Sequence, residues 1–141
     1  MPDLQRMEEA VRFAQDARHI LLLALDEKGY PFCTPAERIA GTADGGLLVA
    51  GWWYADTVER LRERSRVGLL IWDEQRDICY QVRGDVTSLQ EIDVYDGYAI
   101  GEENEPVLPQ AEWSIRISVQ RVMQCVFRYA AHRQGEGLNP Y

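Results

Sequence analysis

Three consecutive aromatic residues stand directly before a predicted helix in the segment GWWYADT, residues 51–57. We expect Trp52, Trp53 and Tyr54 to be exposed at the start of that helix, with Asp56 as its N-cap. An exposed indole can stack on a planar ring or pack against another subunit, because its large apolar face also carries a polar N–H. Adjacent exposed indoles therefore predict contact with either a planar ligand or a second polypeptide chain.

The other reactive side chains do not form a catalytic or metal-binding pattern. The sequence has no P-loop, no dinucleotide-binding glycine motif and no convincing acid–base pair of carboxylates. Cys33, Cys79 and Cys125 are widely spaced within predicted strands and are interpreted as small core residues. His19 and His132 are far apart and do not indicate a metal site. We therefore predict no metal, and the sequence leaves the catalytic residues unknown.

Hydrophobic patterning predicts about six β-strands. They are expected over residues 19–26, 30–40, 47–51, 66–73, 77–89 and 113–129, the last with a bend at Gln120 and Arg121. The segments 19–26 and 66–73 are apolar throughout, as strands buried on both faces are. Pro31 and Pro35 lack backbone donors, so the segment 30–40 is predicted to lie at a sheet edge, at a bulge or against a ligand.

Helical spacing predicts an N-terminal helix over about residues 3–17, with Asp3 as its N-cap, and a short helix over 57–64. A capping-box pattern predicts a third helix over 89–100. The glycine-rich C-terminal tail, about 130–141, is predicted to be mobile. Because long crossover helices are missing, this order of elements favours an antiparallel barrel of the α+β class over a doubly wound parallel sheet.

Composition and charge fit a single folded domain over residues 1–141, with 46% hydrophobic and 27% charged residues. The formal net charge of −8 argues against non-specific binding to nucleic acid or to an anionic membrane, since both are polyanions. The longest apolar run, Ile20–Leu25, is too short to cross a bilayer, and no leader pattern is recognised. We therefore expect a cytoplasmic protein.

The order of these motifs resembles the FMN-binding split-barrel family of pyridoxamine 5′-phosphate oxidase-like proteins over about residues 17–129. The resemblance is carried by the segments DEKGYPFCTP, LLVAG, RERSRVGLLIW, YQVRGDV and IRISVQRV, in this order and spacing. It implies a six-stranded antiparallel split β-barrel of the Greek-key type with short flanking helices. It also implies a homodimer in which two chains share the groove that holds FMN.

Carried over by position, the resemblance implies flavin contacts near Thr34, Pro35 and Ala36 on the second strand and phosphate contacts near Asp56 and Thr57. A hydroxyl at position 57 matches the family, but Asp56 stands where the family generally has arginine or lysine. A carboxylate can occupy the N–H groups of a helix N-terminus itself. Its charge would cost a bound phosphate on the order of 1–4 kcal/mol per charge pair at surface-like dielectric.

Two arginines are candidates to replace the missing phosphate cation, because Arg38 and Arg83 each lie on the polar phase of a strand that would border the groove. Trp52 and Trp53 are candidates to stack on the flavin ring or to fill the dimer interface. A further run of arginines is interpreted as a solvated helix face. It comprises Arg60, Arg62, Arg64 and Arg66.

The leading hypothesis is a dimeric FMN-binding flavoprotein that transfers electrons or hydride to or from a small-molecule substrate. In this hypothesis the isoalloxazine supplies the chemistry, and the protein supplies shape and hydrogen bonds. A related deazaflavin in place of FMN stays open. The alternative hypothesis is a non-catalytic, dimeric ligand-binding module of the same fold that has lost FMN, and Asp56 is the residue that supports it.

Overall fold

The computed structural model describes residues 4–95 and 110–126, and these residues form two helices and seven strands. In chain order they are α1 (Leu4–Ala14), β1 (His19–Leu25), β2 (Pro31–Pro35), β3 (Arg38–Gly41), β4 (Leu47–Tyr54), α2 (Ala55–Glu63), β5 (Arg66–Asp73), β6 (Ile78–Tyr95) and β7 (Gln110–Val126). The strands pair antiparallel in the order β2-β1-β5-β6-β7-β4-β3. The α+β class is confirmed, but the predicted number of six strands is wrong.

The additional strand arises because the segment 30–40 divides at Ala36 and Glu37. The Ala36 N–H donates to the carbonyl oxygen of Ile20 on β1 at 2.8 Å, whereas the Glu37 N–H donates to the carbonyl oxygen of Ala50 on β4, also at 2.8 Å. Two consecutive amides thus donate to strands that lie near opposite edges of the sheet. β2 and β3 are not paired with each other, so the sheet is not closed, although a short piece of chain joins its two edges.

Both proline positions fit the edge placement predicted for them. Pro31 and Pro35 lie on β2, which is the outermost strand beside β1. Only one side of such a strand needs backbone donors, so a residue without an N–H is tolerated there. The bend predicted at Gln120 is also present, because Arg83 pairs with Arg121 while the next residue, Gly84, pairs with Val119. Gln120 is the extra residue of a β-bulge.

The predicted third helix is wrong over its described part. β6 continues through Tyr95, and its last residues pair with β7, with Leu89 opposite Ile115 and Val94 opposite Ala111. The capping-box pattern is a local signal, and long-range pairing with β7 provides backbone partners that outweigh it. Residues 96–100 of the predicted helix lie outside the described residues, as do Asp3 and the tail 130–141.

The described residues share one hydrophobic core, covered at one side by α1. Met7, Ala10, Phe13 and Ala14 of α1 are buried, and the Phe13 ring lies 5.0 Å from the ring of Tyr80 on β6. The helix ends at Ala14, somewhat before the predicted end at residue 17. Among the described residues, no helix has both the length and the hydropathy needed to span a membrane.

The two strands predicted to be buried on both faces are buried on only one face in a single chain. Residues 20, 22 and 24 of β1 and residues 67, 69 and 71 of β5 are buried in the core, whereas alternate residues point outward. We name this outward surface the apolar outer face. It consists of Leu21, Leu23, Leu25 and Leu70, of which Leu21 and Leu70 are direct cross-strand partners and Leu25 is 44% exposed.

Candidate functional site

The start of α2 differs from the prediction made for Asp56. The helix begins at Ala55 with Tyr54 at the N-cap position, and no side chain caps it. Asp56 is therefore the second helical residue, and its Oδ1 accepts a hydrogen bond from the Thr57 N–H at 2.9 Å. Glu59, which would complete a capping box, accepts a bond from Arg62 instead. The N-cap prediction is wrong, but the carboxylate does occupy one N–H of the helix N-terminus.

The three aromatic residues before α2 have different environments. Tyr54 is 42% exposed, Trp52 is half-buried on the outer side of β4, and Trp53 is only 1% exposed within the core. The indole Nε1–H of Trp53 donates to the carbonyl oxygen of Pro35 at 3.0 Å. The expectation of three exposed aromatics is therefore wrong for Trp53. β4 extends to Tyr54, and strand alternation turns residue 53 inward with Leu47 and Val49.

Arg38 is already engaged by carboxylates. Its guanidinium forms an ion pair and hydrogen bond with Glu112 of β7, and its Nη1 lies 3.8 Å from Oε2 of Glu37. The Arg38 side chain is 62% exposed and that of Glu112 only 12% exposed. Because Glu112 is the cross-strand partner of Trp52, this pair lies beside the outer surface of β4. A phosphate at Arg38 would have to displace a carboxylate.

The structure places eight of the nine predicted site residues around the junction of β2, β3, β4 and α2. They are Thr34, Pro35, Ala36, Arg38, Trp52, Trp53, Asp56 and Thr57. This junction offers the Thr57 hydroxyl and the half-buried face of Trp52, but Asp56 places a carboxylate at the start of α2, and Arg38 is already paired with Glu37 and Glu112. The residues present there do not fit a phosphate dianion.

Arg83, the ninth predicted residue, lies in a different part of the sheet. On β6 it pairs with Gly68 of β5 and Arg121 of β7, and it lines a recess of about 660 Å³. We name this the arginine recess. Arg66 at the start of β5 lines it as well, beside its cross-strand partner Asp85. Its apolar wall is formed by Leu23, Leu25 and Pro31.

Gly68 keeps the arginine recess open. It lies between Leu23 and Arg83 in one cross-strand row, where a side chain would stand between the apolar wall and the guanidinium group. A Cβ at this position would meet Leu23 Cβ at 3.8 Å and the carbonyl oxygen of Val82 at 3.7 Å, which are ordinary contacts. The opening thus depends on the missing side chain and not on a strained backbone.

Arg66 was missed by the sequence analysis, which grouped it with the arginines of the helix. α2 ends at Glu63, and Arg66 begins β5 in phase with Gly68 and Leu70. That phase was the available signal, because residues two apart on a strand share a face.

The other three arginines of the run make specific contacts and do not only form a solvated face. Arg60 lies 5.2 Å from the Phe32 ring, Arg62 lies 5.6 Å from the Trp113 ring, and Arg64 donates to the carbonyl oxygen of Glu27 at 2.9 Å.

The remaining reactive groups give no catalytic constellation in the described part of the chain. No group of three metal-ligating side chains occurs among the described residues. Cys79 is buried as predicted, Cys125 is half-buried, and Cys33 is exposed, so the core interpretation is wrong for Cys33. Carboxyl pKa values are lowered at Asp26, Asp44 and Asp73, in each case chiefly by a hydrogen bond made within a turn.

Comparison with known proteins bears on the fold. No family model matches the sequence, and no curated protein matches it. Among solved structures, a protein related to general stress protein 26 of the pyridoxinephosphate oxidase family from Clostridium acetobutylicum matches with a TM-score of 0.55 and 15% identity, over 89% of this chain and 96% of that one. An FMN-binding protein from Syntrophomonas wolfei matches with a TM-score of 0.56 and 10% identity, over 89% of each chain.

HupZ from Group A Streptococcus matches with a TM-score of 0.58 and 16% identity, over 83% of this chain and 91% of that one. At these identities the likeness concerns the fold alone. The chain therefore shares its fold with FMN-binding and pyridoxinephosphate oxidase-family proteins, as the order of its sequence motifs predicted.

Proposed function

We propose that this chain is an FMN-binding flavoprotein which works as a homodimer and transfers electrons or hydride to or from a small molecule. The proposal rests on the shared fold and on one observation in this chain, the two arginines beside an apolar wall in the arginine recess. FMN, when bound, would supply the redox chemistry. The residues of the chain bind and orient it and exclude water.

The arginine recess fits the two chemical parts of FMN. Its volume of about 660 Å³ lies within the range of small-molecule sites, roughly 300–1,000 Å³. Arg66 and Arg83 offer planar guanidinium groups, which bind phosphate through paired N–H donors. Leu23, Leu25 and Pro31 offer the apolar surface that a planar ring system covers. The carboxylate of Asp85 would repel the phosphate, but Asp85 is the cross-strand partner of Arg66 and faces that cation.

The homodimer is supported by the apolar outer face. Strands β1 and β5 have apolar sequences of the kind that are buried on both sides, yet Leu21, Leu23 and Leu70 are only half-buried and Leu25 is exposed in one chain. A second copy of the chain is the occupant we propose. Because Leu23 and Leu25 belong both to this face and to the arginine recess, the second copy would complete the shared groove.

A second candidate function is favoured by the junction at α2. The carboxylate of Asp56 occupies the Thr57 N–H, and Arg38 is paired with Glu112. The two groups that could bind a phosphate at the junction are therefore already engaged. This arrangement favours a dimeric ligand-binding module without FMN. The two candidates differ in whether the arginine recess binds a phosphate.

The test begins with an absorption spectrum of the purified chain, followed by titration of FMN monitored by flavin fluorescence. In the proposed function the parent binds FMN, and Arg83→Gln and Arg66→Gln each weaken binding by at least about tenfold, as loss of one charge-assisted hydrogen bond predicts. Arg12→Gln is the matched control, because Arg12 is an exposed arginine on α1. This variant should leave FMN binding unchanged. The same titrations with a deazaflavin mononucleotide identify the preferred ring.

Asp56→Lys separates the two sites. If the phosphate lies in the arginine recess, this substitution changes FMN affinity little. If it confers binding on a chain that otherwise shows no flavin absorbance and no fluorescence response, the chain is the FMN-free module. An increase of tenfold or more in a parent that already binds would place the phosphate at α2 and remove the recess from the proposal.

A further inference from the structure

Two cysteines lie side by side on the sheet. Cys79 of β6 and Cys125 of β7 are direct cross-strand partners. Opposed residues of antiparallel strands have Cα atoms about 4.5–5.5 Å apart, and disulfides typically join residues whose Cα atoms are about 4.4–6.8 Å apart. The backbone therefore already holds the two residues at a separation that an S–S bond can span.

The two thiols differ in exposure. Cys79 is 3% exposed, and its other cross-strand partner is Trp72, whose ring lies 5.3 Å from the His19 ring, with the two planes tilted by 30°. Cys125 is half-buried and is the thiol of the pair that a small oxidant can reach. Burial and the neighbouring Cys125 raise the pKa of Cys79, so Cys79 stays protonated at neutral pH. The pair thus has one accessible member and one protected member.

We propose that Cys79 and Cys125 form a reversible, intramolecular disulfide when the protein meets hydrogen peroxide. The Cys125 thiolate attacks one peroxide oxygen, the O–O bond breaks, and a sulfenic acid and water are formed once the hydroxide takes up a proton. The Cys79 sulfur then attacks the Cys125 sulfur, the S–O bond breaks, and a second water leaves with the Cys79 proton. In sum two thiols and one peroxide give one disulfide and two waters.

Cys33 provides an internal control. It lies exposed on the edge strand β2, where its cross-strand partner is Leu23 and not a second cysteine. Oxidation at Cys33 therefore ends in a sulfenic acid or in a bond between two chains. The Cys33→Ser variant removes that reaction and leaves the proposed pair unchanged. The proposal uses no flavin, so it stands or falls independently of the proposed function.

The experiment treats the full-length Cys33→Ser variant with hydrogen peroxide and then alkylates the remaining thiols. Mass spectrometry of the proteolysed protein is expected to show a peptide containing both Cys79 and Cys125 joined by an S–S bond, and dithiothreitol is expected to restore both thiols. The oxidised form is expected to have a higher thermal unfolding midpoint, because the bond closes the loop between residues 79 and 125 in the unfolded chain.

Substitution of either partner decides the order of the steps. In Cys79→Ser the sulfenic acid on Cys125 should persist and be trapped by dimedone, whereas in Cys125→Ser no dimedone adduct should form on Cys79 in the folded protein. Cys79→Ala gives the same readout if the buried serine impairs folding. All of these variants carry Cys33→Ser as well. The proposal is overturned if the protein that keeps both Cys79 and Cys125 traps as much dimedone as Cys79→Ser, or if no peptide links the two cysteines.

Discussion

The indole Nε1 of Trp53 donates a hydrogen bond to the carbonyl oxygen of Pro35 at 3.0 Å, and this bond joins the end of β2 to the end of β4. It lies at the point where the chain passes from one edge of the sheet to the other, through Ala36 and Glu37. Trp53 therefore acts at the split in the sheet as well as in the core, where it is 1% exposed.

Trp53→Phe should destabilise the protein by about 1–3 kcal/mol, because the Pro35 carbonyl loses its indole donor and the smaller ring leaves space in the core. Urea unfolding followed by circular dichroism measures the change. Trp52→Phe is the matched control, since Trp52 is half-buried on the outer side of the same strand, and it should cost less than about 1 kcal/mol. Equal costs would contradict the assigned role of the Trp53 bond.

Gly51 is required by the same indole. A Cβ on Gly51 would lie 2.5 Å from Cζ2 and 2.6 Å from Cε2 of Trp53, atoms that a packed core cannot move aside. Gly51→Ala should therefore destabilise by about 1–3 kcal/mol. Gly41→Ala on β3, where nothing lies within 4 Å, should be close to neutral.

A double-mutant cycle makes the Gly51 prediction specific. In the Trp53→Phe background the outer ring of the indole, which carries the nearest atom Cζ2, is gone, so Gly51→Ala should cost less there than in the parent. The four free energies of unfolding come from the same urea experiment. A cost that is equal in both backgrounds would show that Gly51 is needed for a reason other than the indole.

Much of the sheet could be predicted from local pattern. The apolar runs of β1 and β5 and the prolines of β2 are signals that one strand carries by itself. The division of β2 from β3 was not predictable in this way, because it depends on which distant carbonyl groups accept the Ala36 and Glu37 amides. The helix expected from residue 89 failed for the same reason, since β7 is the partner that keeps this segment extended.

The candidate site was predicted in part. The residues predicted on β2, β4 and α2 do lie together at the α2 junction, but the phase of Trp53 was misjudged because the predicted strand LLVAG ended at Gly51. Continuing its alternation from Leu47 and Val49 would have turned Trp53 inward and Trp52 outward. The arginine recess depends on the pairing of Gly68 with Arg83, and no local pattern specifies a cross-strand register.

Acid pH should weaken the turn that joins β5 to β6. A side-chain hydrogen bond from Arg76 is the main cause that lowers the pKa of Asp73 below its usual value of 3.8. A group whose pKa is lower in the folded state stabilises the fold above its unfolded pKa, and that stability is lost as the pH falls through the folded value. The loss should therefore occur below about pH 3.8.

Asp73→Asn tests this pH dependence. The variant should be less stable than the parent at neutral pH, and the difference should shrink below pH 3.8 as the parent carboxylate takes up a proton. Urea midpoints measured at intervals between acidic and neutral pH give the comparison. Glu74→Gln is the neighbouring control, because Glu74 is an exposed carboxylate of the same turn and lies 3.9 Å from His19. If the difference in urea midpoint between Asp73→Asn and the parent is the same at every pH, the ionised carboxylate is not the cause of the lost stability.

Gly68→Leu should close the arginine recess without unfolding the sheet. The Cβ position makes only ordinary contacts, and the rest of the side chain would lie between Leu23 and Arg83. FMN affinity measured by fluorescence titration should fall by about tenfold or more, which corresponds to about 1.4 kcal/mol or more. Gly41→Leu on the distant strand β3 should leave affinity unchanged. Unaltered affinity in a folded Gly68→Leu variant would place the ligand elsewhere.

The apolar outer face predicts the state of the protein in solution. Leu21 and Leu70 face each other across β1 and β5, and their half-buried side chains would lie at the centre of an isologous contact between two copies. Sedimentation velocity should show a dimer for the parent and a monomer for Leu70→Glu, because a dimer with two-fold symmetry would bury both introduced carboxylates without partners. Leu4 is an apolar residue on α1 that is 56% exposed, and the Leu4→Glu variant should remain dimeric. A monomeric parent, or a dimer that persists in Leu70→Glu, would assign this face to a different occupant.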